Sequence, residues 1–177
     1  LSLFQGQSVS ILEIGFGTGL NAFITYLEGQ KLQQKIKYTG IEAYPVGAED
    51  VLKMNYVTEL DAESEKDIFL KMHESDWNQS EILSPDFSLE KQNIKFQEIT
   101  DTNQYDLIYF DAFGFRVQPE LWSLEIFQKM YAALKSNGIL VTYACRSPIK
   151  NAMTEAGFLT EKLPGPPGKR EMLRARK

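Results

Sequence analysis

The stretch that decides the fold is "ILEIGFGTGLN", residues 11–21, where an apolar run leads into glycines at every second position. The run belongs to a short buried strand predicted over Val9–Ile14, and the glycines are Gly15, Gly17 and Gly19. A glycine adopts backbone angles closed to other residues and lets a ligand approach the main chain without a Cβ in the way. Such a turn before a helix predicts a site where backbone N–H groups bind a polar cofactor.

The glycine spacing separates two classes of cofactor. Dinucleotide-binding turns have the order G-x-G-x-x-G, whereas this chain has E-x-G-x-G-x-G, with Glu13 before the first glycine and Leu20 after the last. The observed order resembles the first motif of the S-adenosylmethionine (SAM)-dependent methyltransferases. A nicotinamide-dependent oxidoreductase is the weaker alternative, and a tight turn without any ligand is another.

The remaining sequence alternates between the periods of strands and helices, which predicts an α/β fold. The predicted strands are Val9–Ile14, Lys37–Ala43, Ile94–Ile99, Asp106–Asp111, Ile139–Tyr143, Phe158–Leu163 and Arg170–Arg176. The predicted helices are Gly19–Glu28, Val46–Tyr56, Asp67–His73, Pro119 to a stop at Asn137-Gly138, and Pro148–Glu155, with an irregular or hairpin insertion over 84–92. We expect a mostly parallel twisted sheet whose last two strands pair antiparallel, because no helix lies between them.

The composition is that of an ordinary globular chain, with 177 residues, 43% hydrophobic and 24% charged, which predicts one domain over 1–177. No apolar run approaches the roughly 20 residues of a membrane span. The single cysteine, Cys145, fits a reducing cytoplasm. With only one histidine, His73, a zinc site is not expected, and we interpret both residues as structural.

Positive charge is concentrated at the C-terminal end of a chain whose net charge is −5. From residue 146 onward there are eight Lys or Arg and three Asp or Glu. The excess predicts a patch that faces a polyanion, with solvated surface charge as the alternative. Seven of the eight are the candidates to meet phosphates: Arg146, Lys150, Lys169, Arg170, Arg174, Arg176 and Lys177.

Three acidic residues follow predicted strands, at the edge where ligands of parallel sheets bind. Glu42 ends the second strand, where a carboxylate can accept hydrogen bonds from both ribose hydroxyls. Asp101 follows the third strand and is predicted to contact adenine, although "TDTNQ" is also typical of an ordinary turn. Asp111 ends the most apolar strand, and burying its charge is costly unless it has a function or a partner.

Several longer motifs together resemble one family, the MnmC/MnmD-type methyltransferases. They are "ILEIGFGTGLN", "YTGIEAYPV", "DLIYFDAF", "QPELW" with "IFQKMYAALKSNGILVTY", and the terminal "AGFLTEKLPGPPGKREMLRARK". The resemblance covers nearly the whole chain in the correct order. It implies a Rossmann-like class I SAM-dependent methyltransferase fold.

The resemblance also implies a reaction: transfer of a methyl group from SAM to the exocyclic amine of 5-aminomethyl-2-thiouridine at the tRNA wobble position. The implied partner is the tRNA anticodon loop, with neither a membrane nor a metal involved. A separate upstream tRNA-modifying enzyme is expected to supply the amine. Two alternatives stay open: a SAM-dependent methyltransferase of a small amine, and a non-catalytic module that binds SAM or RNA.

The resemblance assigns roles to particular residues. The cofactor loop comprises Glu13, Gly15, Phe16, Gly17, Gly19 and Asn21, with Glu42 and Asp101 as further cofactor contacts. Asp111 falls at the active-site aspartate, where a carboxylate can accept a hydrogen bond from the amine and receive its proton. The predicted substrate contacts are Phe113, Lys169, Arg170 and Glu171. A flipped base could also stack on Phe115 or Trp122, with Trp122 as a core residue being the alternative.

The chain departs from the family pattern at two places. The family usually has proline two residues after the phenylalanine of D-A-F, where this chain has Phe115, which bears on the shape of the loop beside the amine. Family members also carry an N-terminal segment before the first strand, and we expect that segment to be missing from this chain.

Overall fold

In the part of the chain that the computed structural model describes, residues 1–165, 168 and 170–177, eight strands form one sheet. The strands are β1 (Val9–Ile14), β2 (Ile36–Ile41), β3 (Ser80–Ser84), β4 (Phe87–Gln92), β5 (Tyr105–Phe110), β6 (Leu134–Thr142), β7 (Leu159–Pro164) and β8 (Glu171–Arg176). The α-helices are α1 (Leu20–Lys31), α2 (Ala48–Val51), α3 (Tyr56–Glu59), α4 (Lys66–Glu74), α5 (Leu124–Ala133) and α6 (Ser147–Glu155). Short 3-10 helices span Ser2–Phe4, Glu63–Glu65, Phe96–Glu98 and Pro119–Trp122.

The order of the strands across the sheet is β3-β4-β2-β1-β5-β6-β8-β7. Strands β4, β2, β1, β5 and β6 run parallel, whereas β3, β8 and β7 each pair antiparallel with a neighbour. The chain adds strands on one side of β1 and then on the other, so the switch in strand order lies between β1 and β5. The predicted fold class, including the C-terminal antiparallel pair, is confirmed.

Strand β1 lies at the centre of the sheet and is covered on both faces. Ile11, Leu12 and Ile14 are fully buried, and successive residues pack in two different cores. Leu12 and Ile14 face α5 and α6, while Ile11 faces α1 and α4. Burial on both faces explains why this strand reads as an almost continuous apolar run.

The predicted third strand, Ile94–Ile99, is wrong. The strand that pairs with β2 is β4, within the stretch predicted to be an insertion, and β3 and β4 form the hairpin there. Lys91 hid this strand in the sequence, because it reads as polar although only 1% of its surface is exposed. Residues 96–98 form a 3-10 turn instead, and the Lys95 N–H donates to the Glu98 carboxylate (2.9 Å).

Two predicted helices are interrupted. Of the helix predicted over 46–56, only α2 and the first residue of α3 are helical. The helix predicted from Pro119 begins as a 3-10 turn, and α5 starts after Ser123, whose hydroxyl accepts a hydrogen bond from the Ile126 N–H. It ends at Ala133 rather than at the Asn137-Gly138 stop, since β6 already begins at Leu134. Among the described residues, no helix is both long and apolar enough to cross a membrane.

Candidate active site

The loop after β1 lies against the end of β5, at the switch point. Gly15 has φ 88°, and a Cβ on it would lie 2.7 Å from the Asp111 carbonyl oxygen. The Asp111 N–H donates to the Ile14 carbonyl (3.0 Å), which closes the contact. A side chain at position 15 would therefore force the loop away from β5.

The side chain of Phe16 anchors the loop on the sheet. It is 3% exposed, and its ring lies on Gly40 of β2, where a Cβ would be 2.5 Å from the ring. The ring also makes edge contacts with His73 and Trp77. Phe16 is thus a structural anchor of the loop as well as part of the cavity wall.

Glu42 ties the cofactor loop to the end of β2. Its Oε2 accepts a hydrogen bond from the Gly17 N–H (2.9 Å) and its Oε1 from the Tyr44 N–H (2.9 Å). The Asn93 amide donates to the Glu42 carbonyl (2.8 Å) and holds the backbone. A carboxylate offers about four acceptor positions, so Glu42 keeps capacity for the two ribose hydroxyls that the sequence predicts as its partners.

A chain of hydrogen bonds joins β2, β1, α1 and the end of β5. The Tyr38 hydroxyl donates to Glu13 Oε2 (2.8 Å), and the Asn21 side-chain amide donates to Glu13 Oε1 (2.8 Å). The same Asn21 nitrogen also donates to Asp111 Oδ2 (2.9 Å). The predicted cofactor residues and the predicted catalytic aspartate are therefore physically linked.

The two acidic residues that this hydrogen-bond network joins, Glu13 and Asp111, differ sharply in environment. Burial raises the pKa of Glu13 to about 8, opposed by hydrogen bonds from Asn21 and Tyr38 and assisted by the nearby Asp111 and Glu42 carboxylates. Asp111, in contrast, is exposed. Asp111 therefore carries no burial cost, contrary to the sequence prediction, and Glu13 is the buried member of this pair.

These residues surround a cavity of about 450 Å³ at the carboxyl ends of the strands. The predicted site residues that line it are Glu13, Gly15, Phe16, Gly17, Asn21, Glu42, Asp111 and Phe113. Gly19 takes a different place, as the N-cap residue of α1 with φ 71°, and its backbone packs against His73. The half-buried His73 has its pKa lowered to about 4, chiefly by burial and then by the nearby Lys91 cation.

Asp101 does not line this cavity. Its carboxylate interacts with the Tyr105 hydroxyl, which together with burial raises the pKa of Tyr105 to about 12. The misplacement follows from the wrong third strand, because Asp101 lies well beyond the end of β4. Phe96 lines the cavity instead. Its position could not be predicted without the correct strand.

A second cavity, of about 530 Å³, adjoins the first. Asn21, Asp111 and Tyr143 line both cavities, and Pro164 and Gly165 line the second. Sequence reasoning missed Tyr143, whose hydroxyl donates to the Ala112 carbonyl (2.8 Å). The available signal was its position at the end of a parallel strand, where ligands bind.

The predicted substrate residues are spread over the surface near these cavities. Phe113 is 60% exposed, whereas Trp122 is buried and donates its ring N–H to the Phe113 carbonyl (2.8 Å), which favours the core interpretation of Trp122. Arg170 is exposed, and its carbonyl accepts a hydrogen bond from the Gly165 N–H (3.2 Å). Glu171 pairs with Lys162 (2.8 Å). Lys169 lies outside the described residues.

The first cavity fits a cationic, ribose-bearing cofactor. Its wall carries the carboxylates of Glu13, Glu42 and Asp111, which favour a positively charged sulfonium and ammonium. The N–H groups of Gly15 and Phe16 donate to the Ile41 carbonyl and that of Gly17 donates to Glu42, so these loop donors are already used within the protein. Residues that would hold SAM are thus Glu42 at the ribose and Asn21 with Glu13 at the methionine end.

Comparisons with known proteins agree with this geometry. A family model described as S-adenosyl-L-methionine-dependent methyltransferase matches residues 66–177. The tRNA 5-methylaminomethyl-2-thiouridine biosynthesis bifunctional protein MnmC of Leptospira interrogans is 29% identical over 171 residues, which cover 92% of this chain and 26% of that protein. The protein of the same name from Campylobacter fetus is 27% identical over 184 residues, covering 99% of this chain and 29% of that protein.

Solved structures extend the likeness of fold. MNMC2 from Aquifex aeolicus superimposes with a TM-score of 0.67 at 18% identity, covering 95% of this chain and 53% of that one. A methyltransferase from Pyrococcus furiosus gives a TM-score of 0.59 at 17% identity, covering 100% of this chain and 79% of that one. The chain spans about a quarter of the length of the curated relatives it matches. It belongs to the S-adenosyl-L-methionine-dependent methyltransferase family, of the MnmC type that its motifs resemble, and its cofactor is S-adenosylmethionine.

Proposed function

We propose that this chain, acting as one methyltransferase domain over 1–177, methylates the exocyclic amine of 5-aminomethyl-2-thiouridine at the tRNA wobble position. The product would be 5-methylaminomethyl-2-thiouridine, the nucleoside in the name of the curated relatives. The amine must already be present on the tRNA, so a preceding tRNA-modifying reaction has to supply it. The proposed location is the cytoplasm.

The observation that carries the proposal is the place of Asp111 between the two cavities. The first cavity has the features of a SAM site, and the second opens on the other side of Asp111, toward β6 and the β7–β8 pair. A methyl donor in one cavity and an amine in the other would therefore meet at this carboxylate. Holding two reactants in this geometry can supply roughly 7–11 kcal/mol of the barrier in favourable cases.

The chemistry requires a neutral amine, because an alkylammonium has no lone pair. SAM supplies an electrophilic methyl group when it is bound. Asp111 Oδ2 accepts a hydrogen bond from the Asn21 amide (2.9 Å), which restrains the carboxylate at the boundary of the two cavities. The carboxylate can then accept a hydrogen bond from the amine, orient its lone pair and take up the proton that the amine loses.

An RNA substrate needs positive charge outside the acidic cavities. Arg146 follows β6 at the edge of the sheet where the cavities lie, and its guanidinium is 5.6 Å from the centre of the Phe115 ring. Arg170 is exposed next to Gly165, on the wall of the second cavity. Exposed Phe113 offers a ring on which an extruded base could stack.

The residues of the predicted basic patch lie at opposite ends of the strands, some at the carboxyl ends of the parallel strands, where the cavities are, and others at the opposite ends. Arg176 lies opposite Ile139 at the start of the parallel part of β6, and the Lys177 N–H donates to the Gly138 carbonyl (3.0 Å), so both are at the edge remote from the cavities. Arg174 is paired with Glu161 (2.6 Å). The proposed phosphate contacts are therefore Arg146, Lys150 and Arg170.

The test is methyl transfer from labelled SAM to tRNA that carries 5-aminomethyl-2-thiouridine, with unmodified tRNA as the control. Nucleoside mass spectrometry should show a gain of one methyl group on that nucleoside alone. Asp111→Asn should slow the transfer by at least about 100-fold while SAM still binds in calorimetry.

Other outcomes would contradict the proposal. Transfer to the free aminomethyl nucleoside as fast as to the tRNA would indicate a methyltransferase of small amines. SAM binding without transfer to either substrate would indicate a non-catalytic module.

A further inference from the structure

Tyr38 is a fully buried tyrosine whose hydroxyl reaches the cofactor cavity through one other side chain. It lies in β2, its ring stacks on Phe87 (5.9 Å between ring centres), and its hydroxyl donates to Glu13 Oε2 (2.8 Å). Tyr38 itself does not line the cavity, whereas Glu13 does. Any effect of the Tyr38 hydroxyl on a ligand therefore passes through Glu13.

The hydrogen bonds around Glu13 suit its ionised form. Both carboxylate oxygens act as acceptors, one from Tyr38 and the other from Asn21. A side-chain amide nitrogen has two hydrogens, and Asn21 gives one to Glu13 and the other to Asp111. The amide oxygen of Asn21 is then the remaining acceptor for a ligand.

Burial works against this ionised form, since it raises the pKa of Glu13 to about 8. The Tyr38 and Asn21 hydrogen bonds lower the pKa, whereas the carboxylates of Asp111 and Glu42 raise it. Tyr109 of β5 also faces Glu13, and its hydroxyl interacts with Thr25 of α1. A cationic cofactor adds the positive charge that these carboxylates lack, so its binding favours ionised Glu13.

We propose that Tyr38 is a positioning residue for cofactor binding, whose hydroxyl stabilises ionised Glu13 and so fixes the Asn21 amide between Glu13 and Asp111. Tyr38 thereby sets how strongly the cavity holds a cation without touching the cofactor. The inference concerns SAM binding alone. Its test needs SAM and no tRNA, so its failure can be distinguished from failure of the proposed tRNA reaction.

The test compares Tyr38→Phe with the wild type by calorimetric measurement of SAM affinity across pH. A hydrogen bond to a charged group predicts about tenfold weaker binding of the variant at pH 6.5. The loss should shrink toward wild type by pH 9.5, because above its pKa Glu13 ionises without help. The cofactor's own amine titrates in the same way in both experiments, so the ratio of the two affinities reports on the protein.

The chain offers a matched control in Tyr26. This tyrosine is also buried, also packs against Phe87 (5.4 Å between ring centres) and also donates to a glutamate, Glu65 Oε2 (3.0 Å). Glu65 does not line either cavity. Tyr26→Phe should therefore leave SAM affinity unchanged at every pH.

A double-mutant cycle tests the route through Glu13. In a Glu13→Gln background, which cannot ionise, Tyr38→Phe should change SAM affinity by less than about twofold. An equal loss in both backgrounds, a loss that does not vary with pH, or no loss at all would overturn the proposal.

A measurement on the wild type covers the case in which Tyr38→Phe does not fold. Calorimetry at pH 6.5 in buffers of different ionisation enthalpy should show about one proton released as SAM binds, since Glu13 changes from protonated to ionised. Absence of proton release would overturn the proposal.

Discussion

The sheet has two unlike halves on either side of the β1–β5 switch. On the cofactor side, the acidic residues are buried and bonded to the fold: Glu13 and Glu42 are 1% and 8% exposed and accept hydrogen bonds from side chains and backbone N–H groups. On the β7–β8 side, charges such as Lys162 and Glu171 pair across the surface, with 48% and 38% of their side chains exposed. The cofactor half is preorganised, whereas surface pairs are worth only about 0–1 kcal/mol and can exchange for phosphates.

The largest expected effect lies at the boundary between the halves. Asp111→Asn should lower methyl transfer by roughly 10²- to 10⁴-fold, because the amide cannot take up the amine proton. SAM affinity should fall much less than the rate, since Glu13 and Glu42 still line the cavity and the asparagine oxygen can still accept from Asn21. Single-turnover kinetics with saturating SAM measures the loss. A variant that keeps its rate would remove Asp111 from the mechanism.

On the preorganised side, Gly15→Ala should abolish detectable SAM binding. The residue has φ 88° and its Cβ would meet the Asp111 carbonyl at 2.7 Å, so the loop must shift at a cost of about 1–3 kcal/mol. Thermal unfolding and calorimetry check the two effects. Gly47→Ala is the control, since nothing lies within 4 Å of a Cβ there and φ is −68°.

Glu13 should make the preorganised side unstable at high pH. Its folded pKa, about 8, exceeds the reference value of 4.5, so the folded state binds more protons between these values and stability falls as pH rises through this window. Residue 13 does not titrate in Glu13→Gln. From pH 5 to pH 9 the free energy of unfolding of the wild type should therefore fall by about 3–5 kcal/mol relative to that of the variant. Urea unfolding at the two pH values measures the difference, and parallel curves would contradict the assignment.

The smallest effect is expected for the basic residues on the β7–β8 side of the switch. Arg146→Ser with Arg170→Ser should weaken tRNA binding several-fold and reduce the slope of log affinity against log salt by up to about two. Arg176→Ser, at the remote edge, should change neither quantity. Filter binding at several salt concentrations separates the two variants. Equal effects would mean that the basic residues attract tRNA through their summed electrostatic field rather than through local contacts with phosphates.

The sequence predicted all four strands of the β7–β8 half, β5 to β8, whereas its prediction of the preorganised half was uneven. Strand β1 was predicted with its observed bounds, because a central strand buried on both faces leaves an unmistakable apolar run before the glycines. Strand β4 was missed, since Lys91 in its buried face reads as a surface residue. Because of that error, Asp101 was predicted to be a cofactor contact and Phe96, which lines the first cavity, was not.

The basic tail shows a different limit of sequence reasoning. Arg170 precedes β8 and Arg176 is its last residue, so at about 3.3 Å per residue the two lie roughly 20 Å apart, at opposite ends of the strand, and do not serve one surface. The hydrogen bonds of Tyr38 and Asn21 were also beyond prediction, because they join residues far apart in the chain through side-chain directions that only the assembled sheet defines.

The contact between Phe16 and Gly40 has a consequence for how this sequence can change. The ring lies where a Cβ of position 40 would be, only 2.5 Å away, so the two positions share one volume. A larger residue at position 40 requires a smaller one at position 16. Made alone, the first substitution produces a steric clash and the second leaves a cavity. Substitution at this pair should therefore be coupled across descendants of the gene, with intermediates that bind cofactor poorly.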